Sequence, residues 1–368
     1  MQNFDTGSFM HEIIDGFFNE VREQSIELPS LLVAESVLTE EQEQGQEQGQ
    51  GQEQGQENSL TTGITIEKLV DQVVDEKLNF GKKYRFAETA NYKILVKRLK
   101  RIVSKALKYI IEGLVYSDFN VKGTEMEFGT KGDYKPIILT LDDGKRIEIT
   151  GKIDRIDTAT SEDGNYLRII DYKSSAKNID LNEVYAGLQI QLLTYLDAVC
   201  KEEDFMPAGV LYFSLLEQMV KSDKKITEEK IEEELKKQFK MKGLILADVK
   251  VIKMQDNSLV SGTSKIIPAG ITSSGQISEK VTNGVDQEEF KVLQRYIAQT
   301  IKAIGKEIFG GNIDIMPYYK KGRKPCEYCP YHSICGFDVR NEENHYRYIP
   351  NRMKDDVIAA MRKEVEND

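Results

Sequence analysis

The stretch YLRIIDYKSS (residues 166–175) decides how this sequence is read. Leu-Arg-Ile-Ile has the composition of a buried strand, yet Asp171, Tyr172 and Lys173 follow at once. Side chains on a strand alternate between faces, so Asp171 and Lys173 share one face. The stretch closes a longer segment, GKIDRIDTATSEDGNYLRIIDYKSS (151–175), whose SEDGN carries the Asp-Gly signal of a tight hairpin. A turn centred on Glu162 and Asp163 puts Asp154 directly across from Asp171. Opposed residues on neighbouring strands have Cβ atoms about 4.5–5.5 Å apart. Two carboxylates that close repel, and a cation between them removes the repulsion. Mg2+ takes oxygen ligands and needs only one or two carboxylates plus substrate phosphates. Lys173, on the same face, then stands beside an attacking water or a phosphoryl oxygen. Such a set supports phosphodiester hydrolysis. The alternative is an ordinary Asp–Lys ion pair at a strand end.

Working outward, residues 7–24 (GSFMHEIIDGFFNEVREQ) have apolar groups at helical spacing: Phe9, Met10, Ile13, Ile14, Phe17, Phe18 and Val21. Ser8 or Thr6 is the expected cap. A core helix so near the first residue suggests a chain cut from a longer parent. Residues 40–57 are Gln, Glu and Gly only, which reads as a disordered insert. Helices are predicted at 65–78 and 91–117. The second is two-faced, with Leu95, Leu99, Ile102, Val103, Ala106, Ile110 and Leu114 on one side. Lys93, Lys97, Arg98, Lys100, Arg101, Lys105 and Lys108 form the other, which is either a solvated face or a phosphate-tracking surface. Strands follow from 121, then a helix at 183–199, a buried strand at 208–216, a Lys/Glu-rich helix at 227–240 and a long helix at 286–309.

The expected organisation is therefore segmental. It comprises an N-terminal helical segment (1–39), an insert (40–59), a helical part with the basic helix (60–120) and a core (121–250). A mobile loop (251–285), a helix with a cysteine segment (286–340) and a C-terminal tail (341–368) complete it. Helices, a strand meander, a helix and a further strand predict an α/β fold, a mixed central sheet flanked by helices.

The net charge of −11 over 368 residues argues against a generic polyanion binder, though not against a local basic groove. No apolar run approaches the roughly 20 residues of a membrane helix, and the N-terminus lacks signal-peptide character. A cytoplasmic protein with no membrane partner is expected. Four cysteines in such a chain suggest metal or cluster binding before disulfides. Three of them, Cys326, Cys329 and Cys335, are spaced C-x2-C-x5-C, and Cys200 is expected to be buried and inert. Lys320, Lys321, Arg323 and Lys324 precede the trio as a basic run, either solvated or lining a DNA channel.

The pair GKID (151–154) and IIDYKS (169–174) resembles the motif pair of the PD-(D/E)xK nuclease superfamily in its RecB-like branch. QLLTY (191–195) matches that branch's Q-x-x-x-Y helix, and GSFMHEIID (7–15) its histidine-bearing helix. Together with GTEMEFG, LNEVYAGLQIQLLTYLDAV and PCEYCPYHSICGFD, in this order, they resemble the C-terminal nuclease domain of AddB. AddB is the second subunit of the bacterial ATP-dependent helicase–nuclease that processes double-strand breaks. The resemblance implies a restriction-endonuclease-like fold and a Mg2+-dependent exodeoxyribonuclease acting on single-stranded DNA, on the strand ending 5′. It also implies an AddA-like helicase–nuclease partner. Asp154 and Asp171 would ligate the metal with help from the Tyr172 carbonyl, and His11 would be a further ligand. Lys173 would orient or stabilise the hydrolytic water. Glu125 would sit at the site's edge, with Glu127 as a rival two residues on. Gln191 and Tyr195 would contact DNA or brace the site, with Gln189 as a weaker rival for the glutamine.

Cys326, Cys329 and Cys335 would bind a 4Fe-4S cluster whose fourth cysteine lies upstream of the matching region. A non-cysteine fourth ligand, zinc (Zn2+) held with His332, or an empty site in this chain are the alternatives. No G-x-x-x-x-G-K-[ST] phosphate loop occurs, so cleavage by this chain alone is expected not to need ATP. The competing functions are an inactive DNA-binding or scaffold module and a stand-alone RecB-like nuclease.

Overall fold

The computed structural model describes residues 5–34, 64–80, 90–215 and 227–367. The insert at 40–59 lies outside the described residues. The chain forms two compact units, and they are interleaved rather than consecutive. The first takes Met1–Met126, Ile153–Lys177 and Ala208–Gly284; the second takes Glu127–Lys152, Asn178–Pro207 and Val285–Asp368.

The sheet holds six strands: β1 (Asn120–Phe128), β4 (Gly151–Ser161), β5 (Gly164–Lys173), β6 (Met206–Ser214), β7 (Lys242–Leu246) and β10 (Gly284–Val285), in the order β1-β4-β5-β6-β7-β10. It is mixed, in an α/β fold of the predicted kind. Two short antiparallel pairs lie outside it: β2 (Ile137–Thr140) with β3 (Arg146–Ile149), and β8 (Gly262–Thr263) with β9 (Gly270–Ile271).

In the first unit, α1 (Thr6–Glu23), α2 (Ile66–Phe80) and α3 (Ala90–Val115) pack together over the sheet. α1 buries the seven residues its spacing picks out, Phe9 to Val21. Its cap is not Ser8 or Thr6 but Asp5, whose carboxylate accepts from the N–H groups of Gly7 (3.0 Å) and Ser8 (3.2 Å). A carboxylate also complements the positive helix end, which a hydroxyl does less well. Gly16 lets α1 and α2 approach, since a Cβ there would meet Val73 Cγ1 at 2.5 Å. α3 buries Leu99, Val103, Ala106, Ile110 and Leu114, with Ile170, Tyr172, Leu211 and Phe213 of the sheet in the same core.

β4 and β5 pair in the predicted register, from Ser161↔Gly164 to Arg155↔Ile170. The next step along that register is Asp154 opposite Asp171.

Three expectations are corrected. The helix predicted at 183–199 is two, α4 (Leu181–Tyr185) and α5 (Gln191–Glu203). Gly187 and Gln189, with φ of +75° and +51°, break it. The segment expected as a mobile loop is folded. It follows α6 (Glu228–Phe239) and β7, begins with α7 (Val249–Gln255), buries Ile267, Ala269 and Ile271, and ends as the sixth strand of the sheet. Its Ser and Thr side chains serve turns: Ser264 Oγ donates to Asp256 and accepts from the N–H groups of Ile266 and Ile267. The C-terminal tail is also structured. Arg347–Tyr348 pairs in parallel with Tyr318–Tyr319, and the helix Lys354–Glu366 packs on the helix Gln287–Phe309, burying Val357, Ile358 and Met361.

Candidate active site

The site is assembled within the first unit from α1, β1, β4 and β5. His11 projects from the second turn of α1, on the border of the buried stripe. Its Nδ1 lies 3.4 Å from Asp154 Oδ2 and 3.8 Å from Glu125 Oε1. Its ring meets Tyr172 edge-on at 5.8 Å. Among the described residues, His11, Glu125 and Asp154 are the one group of three metal-competent side chains whose ligand atoms lie within 4.8 Å of one another.

Glu125 reaches the group because the backbone of β1 departs from a regular strand there. Its φ is +50°, a left-handed conformation inside a strand. The two candidate glutamates thereby separate. Glu125 turns to His11, whereas Glu127 lies exposed with its carboxylate 3.4 Å from Lys152 Nζ. No residue type at 125 signals this; the irregularity belongs to the backbone.

Asp154 is fixed by the hairpin itself, accepting the Tyr172 backbone N–H at 2.7 Å. A donor from the opposite strand thus points one carboxylate oxygen, and only the strand register supplies it. Asp171 is buried, and its Oδ2 lies 2.5 Å from Lys173 Nζ without making a hydrogen bond of good geometry. Desolvation, and then the charge of Asp154, push the Asp171 carboxyl above its ordinary range, with Lys173 opposing. His11 is also raised. Burial works against its charge, but its hydrogen bond to Asp154 and the charges of Asp154, Glu125 and Asp171 outweigh it. Asp171 stands outside the tight group of three yet acts electrostatically on two of its members. The sequence puts Asp171 in the metal grip and Glu125 at its edge; the geometry puts Glu125 closer in and gives Asp171 to Lys173.

A nitrogen and two carboxylate oxygens that converge, with the Asp171 carboxylate paired to Lys173 beside them, suit a divalent cation of the Mg2+ or Mn2+ kind.

Gln191 and Tyr195 belong to the second unit, on α5. Gln191 is exposed and donates to the Tyr195 hydroxyl at 3.3 Å. Tyr195 is buried and stacks on Phe128 at 5.1 Å, its hydroxyl lying where a Cβ on Gly151 would sit. Tyr195 is thus packed as a brace against the start of β4. Gln189 has its own role: it accepts from Asp180 N and donates to Glu183 Oε2, closing the bend between α4 and α5.

The cysteines are placed differently. Cys329 and Cys335 are exposed and Cys326 is half-buried, and with His332 they make no group of the kind formed around His11. Cys200 is buried, and burial pushes its thiol up to about 12, far from the thiolate that metals bind. Among the described residues, Cys326, Cys329, Cys335 and His332 do not come together as a four-ligand site. Within the basic run before them, Lys321 and Arg323 are exposed, and Lys320 alone departs from both expectations. Lys320 is buried and paired with Asp180 and, at 3.1 Å, with Glu183, which Arg323 also contacts at 2.9 Å. Those two cations tie the segment to α4 and are committed to carboxylates.

On the basic helix, Lys93, Lys97, Arg98 and Arg101 are exposed, while Lys100 is held by Asp71 (2.9 Å) and Asp75 (3.0 Å). Residues that spacing alone did not single out also matter. Arg155, Asp157 and Arg168 form a buried charged cluster on the other face of the hairpin. Their signal was legible as charge inside the apolar runs KIDRID and LRII.

A mixed sheet whose central hairpin carries two facing acids and a lysine, with a histidine helix alongside, is the arrangement of a nuclease-superfamily fold. The chain belongs to the PD-(D/E)XK nuclease superfamily, whose sequence pattern matches residues 1–336. It is 41% identical over 286 residues to AddB of Acetivibrio thermocellus, a subunit of the ATP-dependent helicase/deoxyribonuclease, covering 76% of this chain and 25% of that protein. AddB of Alkaliphilus oremlandii is 42% identical over 285 residues, again 76% and 25%. That of Ruminiclostridium cellulolyticum is 42% identical over 276 residues, 73% and 24%. The chain spans about a quarter of the length of the curated relatives it matches. The expected resemblance to AddB is borne out.

Proposed function

We propose that this chain is the nuclease portion of an AddB-type helicase/deoxyribonuclease subunit, a Mg2+-dependent exodeoxyribonuclease acting on single-stranded DNA. The observation that carries the reading is the convergence of His11, Glu125 and Asp154 beside the Asp171–Lys173 pair on one hairpin. His11, Glu125 and Asp154 would hold the ion, with Asp171 joining from the facing strand. When bound, Mg2+ supplies Lewis acidity that lowers the pKa of water and offsets charge developing on phosphoryl oxygens. Lys173 donates from its ammonium to the hydrolytic water or a phosphoryl oxygen, and Asp171 holds that ammonium in place. The Tyr172 N–H keeps Asp154 aimed at the ion. Tyr195, capped by Gln191, braces β4 and so the position of Asp154 along it.

The exposed cations of α3 suit phosphate contacts without sequence readout. The relatives are B subunits of an ATP-dependent helicase/deoxyribonuclease, which supports a partner helicase subunit, and the resemblance to AddB implies a role in double-strand break repair. A 4Fe-4S cluster or zinc at Cys326, Cys329 and Cys335 would need a ligand from beyond these residues, and no step of the reaction passes through it.

Incubation of the protein with end-labelled single-stranded DNA and Mg2+, without ATP, tests the reading. Cleavage abolished by a chelator and by Asp171→Ala is the expected result. Metal-independent cleavage, or full activity in Asp171→Ala, refutes it.

A further inference from the structure

Alternation along the β4–β5 hairpin sends Asp154, Asp171 and Lys173 to one face and Arg155, Asp157, Arg168 and Tyr172 to the other. On that second face two guanidiniums share one carboxylate. Arg155 donates from both terminal nitrogens, Nη1 to the Tyr172 hydroxyl (3.2 Å) and Nη2 to Asp157 Oδ2 (3.0 Å), while its Nε lies 2.9 Å from Asp157 Oδ1 as an ion pair without hydrogen-bond geometry. Arg168 donates only through Nε, to Asp157 Oδ2 at 3.0 Å. Both Arg168 Nη atoms are buried and lack a hydrogen-bond partner among the described residues. The Phe119 ring lies 4.6 Å from the guanidinium carbon. A ring covers a face of the guanidinium plane and leaves its edge donors unmatched. Asp157 is already shared between both arginines, so the cluster carries one positive charge more than its carboxylate balances.

A cavity of about 270 Å³ adjoins this cluster within the first unit. Arg155 and Arg168 line it, as do Lys236, Lys265, Tyr109 and Phe239. Tyr109 and Phe239 stack at 4.6 Å, giving an aromatic wall. Lys236 is paired with Glu112 at 2.7 Å, and the exposed Lys265 marks the mouth. A buried guanidinium whose charge is not balanced favours an anion in the adjoining cavity. Small-molecule sites combine mainly apolar walls with a few fixed polar groups, and this one has room for about one ring.

We infer that this cavity is a binding pocket for a compact aromatic oxyanion, a single ring carrying a phosphate or carboxylate whose charge is met by Lys265 at the mouth and by the excess positive charge of the Arg155–Arg168 cluster behind the wall. The site is separate from the nuclease centre and does not depend on its function.

The test uses the whole chain in phosphate-free buffer with a chelator, which keeps divalent ions from the His11 group. Phenyl phosphate, benzoate, inorganic phosphate and phenol are titrated while thermal unfolding and heat of binding are followed. Phenyl phosphate or benzoate is expected to bind and raise the melting temperature, at least tenfold more tightly than inorganic phosphate or phenol. Arg168→Met is expected to abolish the response. Lys265→Glu, an exposed change that leaves the fold intact, is expected to weaken binding about tenfold and decides the matter should Arg168→Met fail to fold. Asp171→Asn is expected to bind normally, which separates this pocket from the nuclease reading. No response to either aromatic anion, an equal response to phenol, or unchanged binding in Lys265→Glu would overturn the inference.

Discussion

The β4–β5 hairpin and the segment from Tyr318 to Tyr348 both carry metal-competent residues at motif spacing, and they are built in opposite ways. On the hairpin, and on β1 beside it, each functional group is held by the scaffold. Asp154 takes a backbone N–H from the facing strand, Asp171 is buried beside Lys173, and Glu125 is delivered by a left-handed kink. In the cysteine segment the potential ligands lie largely in water, along with Tyr328, Tyr331 and Ile334, and the anchoring falls to Lys320 and Arg323. The contrast teaches that a hard-cation site can be organised by folding alone, because strand register fixes carboxylates. A thiolate site of short spacing needs its metal, or a further ligand, to gather it.

That contrast can be broken most sharply at the hairpin. Asp154→Ala or Asp171→Ala is expected to cut the cleavage rate by about a thousandfold or more, since metal-borne electrostatic stabilisation is typically among the largest single contributions. Circular dichroism should be unchanged in both. Lys173→Ala is expected to lose about 10²- to 10⁴-fold, the range of a positioned proton donor, and a smaller loss would reduce the lysine to an ion-pair partner of Asp171.

A third change tests the scaffold rather than the chemistry. Gly151→Val drives a side chain into the place of the Tyr195 hydroxyl. It should cost about 1–3 kcal/mol in denaturant unfolding, the usual range for overpacking, and lower activity as Tyr195 shifts. On the other side of the comparison, Lys320→Met removes a buried ammonium that serves two carboxylates. Broken buried pairs cost about 3–5 kcal/mol, but Asp180 is about one-third exposed, so about 2 kcal/mol is the expected loss. The same pair gives a sign for pH. Burial pushes the Asp180 carboxyl up, but the bond and charge of Lys320 together with the hydrogen bonds from Asn182 outweigh it and hold Asp180 below its usual range. Its stabilisation is therefore complete above the ordinary carboxylate pKa and is lost as pH falls through the depressed one. Acid unfolding of Lys320→Met should lack that component. Smallest of all, replacing Cys326, Cys329 and Cys335 together by Ser should change stability by under about 0.5 kcal/mol, as for other surface sites. Single-strand cleavage by this chain should not change. A larger loss, with iron or zinc detected in the parent protein, would show that these thiols are organised after all.

The sequence carried much of this arrangement because two rules act locally. Helical spacing marked all seven buried residues of α1, and the Asp163–Gly164 turn with strand alternation set the hairpin register residue by residue. What escaped it depends on tertiary geometry. Glu125 and Glu127 share a strand face in any sequence-based reading, and only the kink at 125 separates them. The polar stretch at 255–285 looks unfolded by composition, yet its hydroxyls satisfy turns that pack Ile267 and Ile271 inward. Lys320 sits in a run of cations that reads as solvated, but two acids of the α4 region, more than a hundred residues away in the chain, claim it.

The strict pairing of β4 with β5 also constrains how the gene can vary. Side-chain direction flips with every residue, so removing one codon between Arg155 and Ser161 would turn Asp154 away from Asp171 and carry Ile153 into its place. Removing two would preserve direction and lose only reach. The hairpin thus imposes an even-number rule on length change in descendants that keep the activity. A lineage that breaks it can retain the fold's outline while its chemistry falls silent.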